Sequence, residues 1–134
     1  MTHKSIVTLL DEHQAMLRTI RAVRLAMLDG KVAAARQALD ELKALHAAHI
    51  AAEEEEWIGR LQRNARWQPK VYLAEHAKLG DMIAQWHQRL HELAADALSA
   101  GERLDLLDAT LPLQHLLEHH FEREEKGLFI EVAA

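Results

Sequence analysis

The stretch His49-Ile50-Ala51-Ala52-Glu53-Glu54 returns later in the chain as His120-Phe121-Glu122-Arg123-Glu124-Glu125. In each copy a histidine precedes a glutamate by four residues, and residues four apart on an α-helix lie one above the other on a single face. Both copies continue an apolar stripe. Ala35, Leu39, Leu42 and His46 lead up to His49 and Glu53, while Leu113, Leu116 or Leu117, His120, Glu124 and Leu128 share the later one. Each of two helices is therefore expected to carry an imidazole and a carboxylate on its buried side. A second echo lies upstream of each copy, where Leu10-Asp11-Glu12-His13 recurs as Leu73-Ala74-Glu75-His76. The upstream pair is offset by 63 residues and the downstream pair by 71, so the chain reads as two related hairpins, with 8 extra residues in the second placed around Ser99 to Thr110.

Apolar residues at three- and four-residue spacing mark four amphipathic helices. The first starts at Ser5, a residue suited to N-capping, and ends at Asp29-Gly30, with Ile6, Leu9 or Leu10, His13, Leu17, Ile20 and Met27 inward. The second is expected from Lys31 to about Arg63. The pattern breaks over Gln62 to Gln68, and Pro69 suits the first turn of a third helix carrying Tyr72, His76, Leu79, Ile83, Trp86 or His87, Leu90 and Ala94. A turn is expected around Ser99-Ala100-Gly101, and Pro112 either kinks or restarts the fourth helix. Short connections between long helices imply antiparallel neighbours, hence an all-α, up-down-up-down four-helix bundle forming one domain over residues 1–134.

Composition narrows the function. A net charge of −5 offers no basic face for nucleic acid, and the absence of cysteine excludes disulfide scaffolds, thiolate zinc fingers and cysteine-held iron–sulfur clusters. No apolar run approaches the ~18 residues of a membrane span, and the start lacks a signal-peptide pattern, so a soluble cytoplasmic protein is expected. The outlying count is ten histidines.

A single His-x-x-x-Glu says little, because about one would arise by chance in a chain of this composition. The stripes and the levels carry more weight. Charged glutamate is almost never left on a core stripe unless it is paired or bound to metal. His13 lies 8 residues past Ser5, His76 lies 7 past Pro69, and Glu53 and Glu124 each lie 10 before the end of their helical segment. At about 1.5 Å per residue, all four levels fall roughly 10 to 15 Å from one end of an antiparallel bundle. Two carboxylates and four imidazoles meeting there would repel or go neutral unless cations joined them. Four His nitrogens and two carboxylates able to bridge match a pair of first-row cations, which points to a dinuclear metal site.

In Glu12-His13, His49-x-x-x-Glu53-Glu54, Glu75-His76 and His120-x-x-x-Glu124-Glu125, followed by Leu128-Phe129, the chain resembles the hemerythrin-like (HHE cation-binding) domains over essentially its whole length. The resemblance implies a non-haem di-iron centre with His13, His49, His76 and His120 as terminal ligands, Glu53 and Glu124 as bridges, and an oxo or hydroxo group as a third bridge. Mn or Zn could use the same donors. Oxygen-carrying members have a further histidine four residues after the third-helix one, where this chain has Gly80. They also have His-x-x-x-x-Asp on the last helix, where His119 stands five before Glu124 and His120, preferred for its place on the apolar stripe, stands four before it. The set is thus closer to members linked to iron–sulfur repair, nitric oxide response and iron or oxygen sensing. The expected partner is O2, NO or peroxide, in sensing or stress protection. The alternative is an iron-holding or iron-responsive module without turnover. The ferritin-like signature Glu-x-x-His is absent, as is the zincin motif His-Glu-x-x-His.

The remaining candidates are expected to be structural. His46 is either an added ligand or, in the favoured reading, a satisfied core histidine. Tyr72 either donates into the pocket or simply packs. His87 with His91, and His115 with His119, read as solvated pairs, and His3 as a free terminal residue. Glu54 is a minor candidate for an extra ligand, and Glu56 should pair with Arg60. Glu12 and Glu75 lie off the core stripes and are expected to be poor partners for the imidazoles.

Overall fold

A computed structural model of the chain describes residues 3–93 and 97–133. They form α1 (Ile6–Leu28), α2 (Val32–Ala52), α3 (Pro69–Glu92), α4 (Ala100–Lys126) and a short α5 (Leu128–Ala133), with no strand among the described residues. Ala94, assigned to the third stripe, lies outside them.

Local chemistry sets the ends. The Ser5 hydroxyl accepts from the Thr8 amide at 3.2 Å and starts α1. Gly30 takes φ +71°, a left-handed conformation open to glycine, and turns the chain into α2. Pro69 occupies the first turn of α3. Ser99 and Glu102 form a reciprocal capping box on α4. Residues 100–110 of the stretch expected to hold the extra length are helical, and Pro112 lies inside one continuous helix.

The second helix departs from expectation after Ala52. Glu53–Trp57 form a π-helical turn and Ile58–Arg60 a 3-10 turn, so the α-helix does not reach Arg63. The amide of Ile58 bonds to the carbonyl of Glu53, five residues back, which inserts an extra residue into the turn. The fourth stripe also divides, since Gly127 ends α4 and Leu128 opens α5.

The long helices pack in a ring, α1 on α2, α2 on α3, α3 on α4 and α4 on α1. Cross-links fix their sense. Arg24 near the end of α1 reaches Thr110 and Gln114 midway along α4, while His13 reaches Glu124 late in it. Arg36 early in α2 bonds the Leu90 carbonyl late in α3, while Glu54 just past α2 meets His76 early in α3. These neighbours run antiparallel.

The interior has three layers. A large apolar cluster, including Met16, Ile20, Leu39, Leu42, Leu79, Ile83, Leu113 and Leu117, fills most of the bundle. A smaller one, Leu9, Trp57, Ile58, Tyr72, Leu128 and Phe129, closes one end. Between them in sequence, on every long helix or its extension, stand the buried polar residues His13, His49, Glu53, His76, His120 and Glu124. No helix among the described residues is long and apolar enough to cross a membrane.

Candidate metal centre

Six side chains, each at most 2 % exposed, converge in the layer between the apolar clusters. Their donor atoms form two overlapping groups, His13, His49, Glu53 and Glu124 on one side and Glu53, His76, His120 and Glu124 on the other, each spanning no more than 4.8 Å. Each hairpin of the sequence repeat supplies the two histidines of one group, and the two carboxylates belong to both.

Glu124 lies at the middle. Its Oε1 is 2.9 Å from His13 Nε2, and its Oε2 is 3.0 Å from both His76 Nε2 and His120 Nε2. Glu53 Oε1 is 3.1 Å from His76 Nε2 and 3.4 Å from His49 Nε2. The Nε2 atoms of His13 and His49 are 3.1 Å apart. Two donors bound at about 2.0–2.2 Å to one first-row ion lie about 2.8–3.6 Å from each other, which is the range of these separations.

Protein-only hydrogen bonding leaves this layer incomplete. Both carboxylate oxygens of Glu53 and the Nε2 of His120 are buried without a hydrogen-bond partner, because the neighbouring nitrogens are near but not aligned. A buried carboxylate stranded in this way is strongly destabilising unless a cation completes it. The residues fit a metal.

Every imidazole is also held from behind. His13 Nδ1 donates to Glu125 at 2.8 Å, His49 Nδ1 to Glu12 at 2.8 Å, His76 Nδ1 to Glu54 at 2.8 Å and His120 Nδ1 to Glu75 at 2.9 Å. This corrects the expectation for Glu12 and Glu75, which face the histidine of a neighbouring helix rather than their own. Glu54 lies outside both donor groups and acts through His76 instead. The four bonds obey the repeat: Glu12 and Glu75 serve the downstream histidine of their own hairpin, and Glu54 and Glu125 serve the upstream histidine of the other. The signal was present in the paired Glu-His and Glu-Glu steps.

The electrostatics follow from these contacts. Burial opposes charge on His49 and His76, but the adjacent Glu124 and Glu53 carboxylates outweigh it and raise each to about 10. His120 is likewise raised, with Glu124 and Glu75 overcoming burial. Burial works to raise Glu124, yet the neighbouring His120, His13, His49 and His76 hold it well below the usual carboxylate range. His13 is further fixed by stacking between Phe121, 4.0 Å away by ring centroid, and Phe129 at 5.3 Å.

Other residues divide. His46 is buried, but its Nε2 has no partner, so it is not the satisfied core histidine expected. Burial and the neighbouring His76, His120 and His49 push it down to about 4, so it stays neutral. The hydroxyl of Tyr72 is buried in the small apolar cluster. His115 and His119 are exposed, and Glu56 pairs with Arg60 at 3.3 Å. His3 is not free, since its ring also meets Glu56 and lies 5.9 Å from that of Trp57.

An all-helical bundle with a buried, carboxylate-backed His and Glu cluster defines a protein of the cation-binding helical class. The family model for the hemerythrin HHE cation binding domain matches residues 3–132, and the chain belongs to that family. Comparison with curated proteins and with solved structures gives no match.

Proposed function

We propose that this chain is a dinuclear non-haem iron protein whose site takes O2, NO or peroxide in sensing or stress protection. His13 and His49 hold one ion, His76 and His120 the other, and Glu53 and Glu124 bridge them. The observation that carries this reading is Glu53, fully buried, common to both donor groups and without a hydrogen-bond partner at either oxygen. Ferrous iron supplies the electrons and the coordination position that such a small ligand needs.

The chain does the rest. Glu12, Glu54, Glu75 and Glu125 accept the Nδ1 protons, which leaves each Nε2 free to face the ions. The apolar clusters on either side exclude water. Gly80, one turn past His76, brings no ligand, and a Cβ built there would stand in open space.

Metal analysis of purified protein tests this directly. About two iron ions per chain are expected, with an absorption spectrum that changes when O2 or NO is added anaerobically. His49→Ala and Glu53→Ala should each lose metal. Full iron content in both variants would end the proposal, and Mn or Zn in place of iron would redirect its chemistry.

A further inference from the structure

At the opposite end of the bundle, three more ligating side chains meet. His87 and His91 stand four apart on α3 and share a face, with ring centroids 4.4 Å apart. Asp40 reaches them from α2. A single oxygen, Asp40 Oδ1, lies 3.0 Å from His87 Nε2 and 3.4 Å from His91 Nε2. All three donor atoms fall within 4.8 Å of one another. From sequence alone the His-x-x-x-His spacing suits a second metal, but its distance from His76 favours a solvated or cap-proximal pair; the third side chain comes from another helix, 47 residues before His87.

We propose that Asp40, His87 and His91 form a second, exposed site for a borderline divalent cation of the Zn2+, Cu2+ or Ni2+ type. Three features support it. The donor set is two imidazoles and a carboxylate, the nitrogen-rich mixture such ions prefer over Mg2+ or Ca2+. Both N···O separations match the roughly 2.8–3.6 Å between donors that share an ion at about 2.0–2.2 Å. The frame is also held in place. Arg36, one turn before Asp40 on α2, donates from Nε to the Leu90 carbonyl at 2.7 Å and from Nη2 to that of Leu93. Leu90 lies between the two histidines, so this bond sets the register of Asp40 against them.

The donors are a third to a half exposed, so the site is open, with water completing the ion's coordination. It is distinct from the buried layer. His87 and His91 lie 11 and 15 residues past His76, roughly 16 to 22 Å along the helix. An ion here clamps α2 to α3 at the end of the bundle remote from the buried cluster.

Zinc titration of the full-length protein as purified tests the site. Wild type should bind one Zn2+ more than the His87→Ala/His91→Ala double variant, and Asp40→Asn should weaken that additional ion tenfold or more. Equal zinc uptake by wild type and double variant would overturn the proposal. Undiminished affinity in Asp40→Asn would also overturn it, by reducing the site to a histidine pair on one helix. In wild type itself, saturating Zn2+ should shield His87 and His91 from diethyl pyrocarbonate, and unchanged modification at both would be equally fatal. The double variant keeps all six buried donors, so the result does not depend on what those six hold.

Discussion

Glu75 joins two neighbours, accepting from His120 Nδ1 at 2.9 Å and from Arg123 Nε at 3.0 Å through the same oxygen. Glu12 is placed similarly, with His49 Nδ1 at 2.8 Å and Lys4 Nζ at 2.7 Å. Burial raises both carboxyls, but His120 and Arg123 in one case, and Lys4 and His49 in the other, outweigh it and hold them below the usual range. Each is therefore an anion behind an imidazole, which fixes the tautomer and makes the inward nitrogen a better donor. Glu75→Gln keeps the shape and an acceptor but removes the charge. It is expected to lower metal affinity about 10- to 100-fold while leaving helix content unchanged, as read by competition with a chelator. Affinity equal to wild type would show that geometry, not charge, is what Glu75 contributes. The six inner donors were legible in sequence because each continues the apolar stripe of its own helix. The four outer carboxylates were not, because none lies on the stripe of its own helix, so that Glu12 and Glu75 read as poor partners and Glu54 as a minor candidate for an extra ligand. In a ring of helices that flank faces the next helix, and periodicity within one helix carries no information about its neighbour.

The elements show the same division between local and distant causes. Ser5 and Pro69 are written in local chemistry, and the structure begins α1 and α3 there, whereas Ser99-Ala100-Gly101, expected to turn, instead caps and opens α4. The π turn at Glu53–Trp57 has no such signature. Four consecutive glutamates have no apolar period, and only packing of Trp57 and Ile58 into the small apolar cluster shows why an extra residue is accommodated. The break at Gly127 is also a tertiary effect. A Cβ there would stand 2.5 Å from the Tyr72 hydroxyl and 2.7 Å from the Trp67 ring, closer than side chains tolerate. Glycine lets α4 end against these rings so that α5 can fold Phe129 over His13. Gly127→Ala should therefore cost about 1–3 kcal/mol through overpacking and lower Tm by several degrees. The helical circular dichroism should persist. An unchanged Tm would mean that Trp67 and Tyr72 yield freely, and that the chain break has another origin.

For the molecule as a whole, the buried layer makes stability depend on protons when metal is absent. His49 and His76 are raised to about 10 by Glu124 and Glu53 against the opposing effect of burial, compared with 6.5 for a free imidazole. A raised histidine stabilises the fold fully below its unfolded value, and that contribution disappears as pH climbs through the folded one. Metal-free protein should thus lose stability progressively from about pH 7 to pH 10. His46 acts on the acid side. Burial and nearby histidines hold it at about 4, so its neutral form favours the fold above 6.5, and that advantage is lost as pH falls toward 4. Metal loading at the proposed site would expel the protons from His49 and His76, since ligating nitrogens are deprotonated. Two linked outcomes are expected. The melting temperature of metal-free wild type should fall between pH 7 and pH 10 more steeply than that of a His49→Gln/His76→Gln variant. Titration calorimetry in buffers of different ionisation enthalpy should show net proton release on metal binding near neutral pH. If the alkaline melting curves of wild type and variant run parallel and binding releases no protons, these two imidazoles are not charged in the metal-free protein. Glu53 and Glu124 would then need another source of compensation in the core.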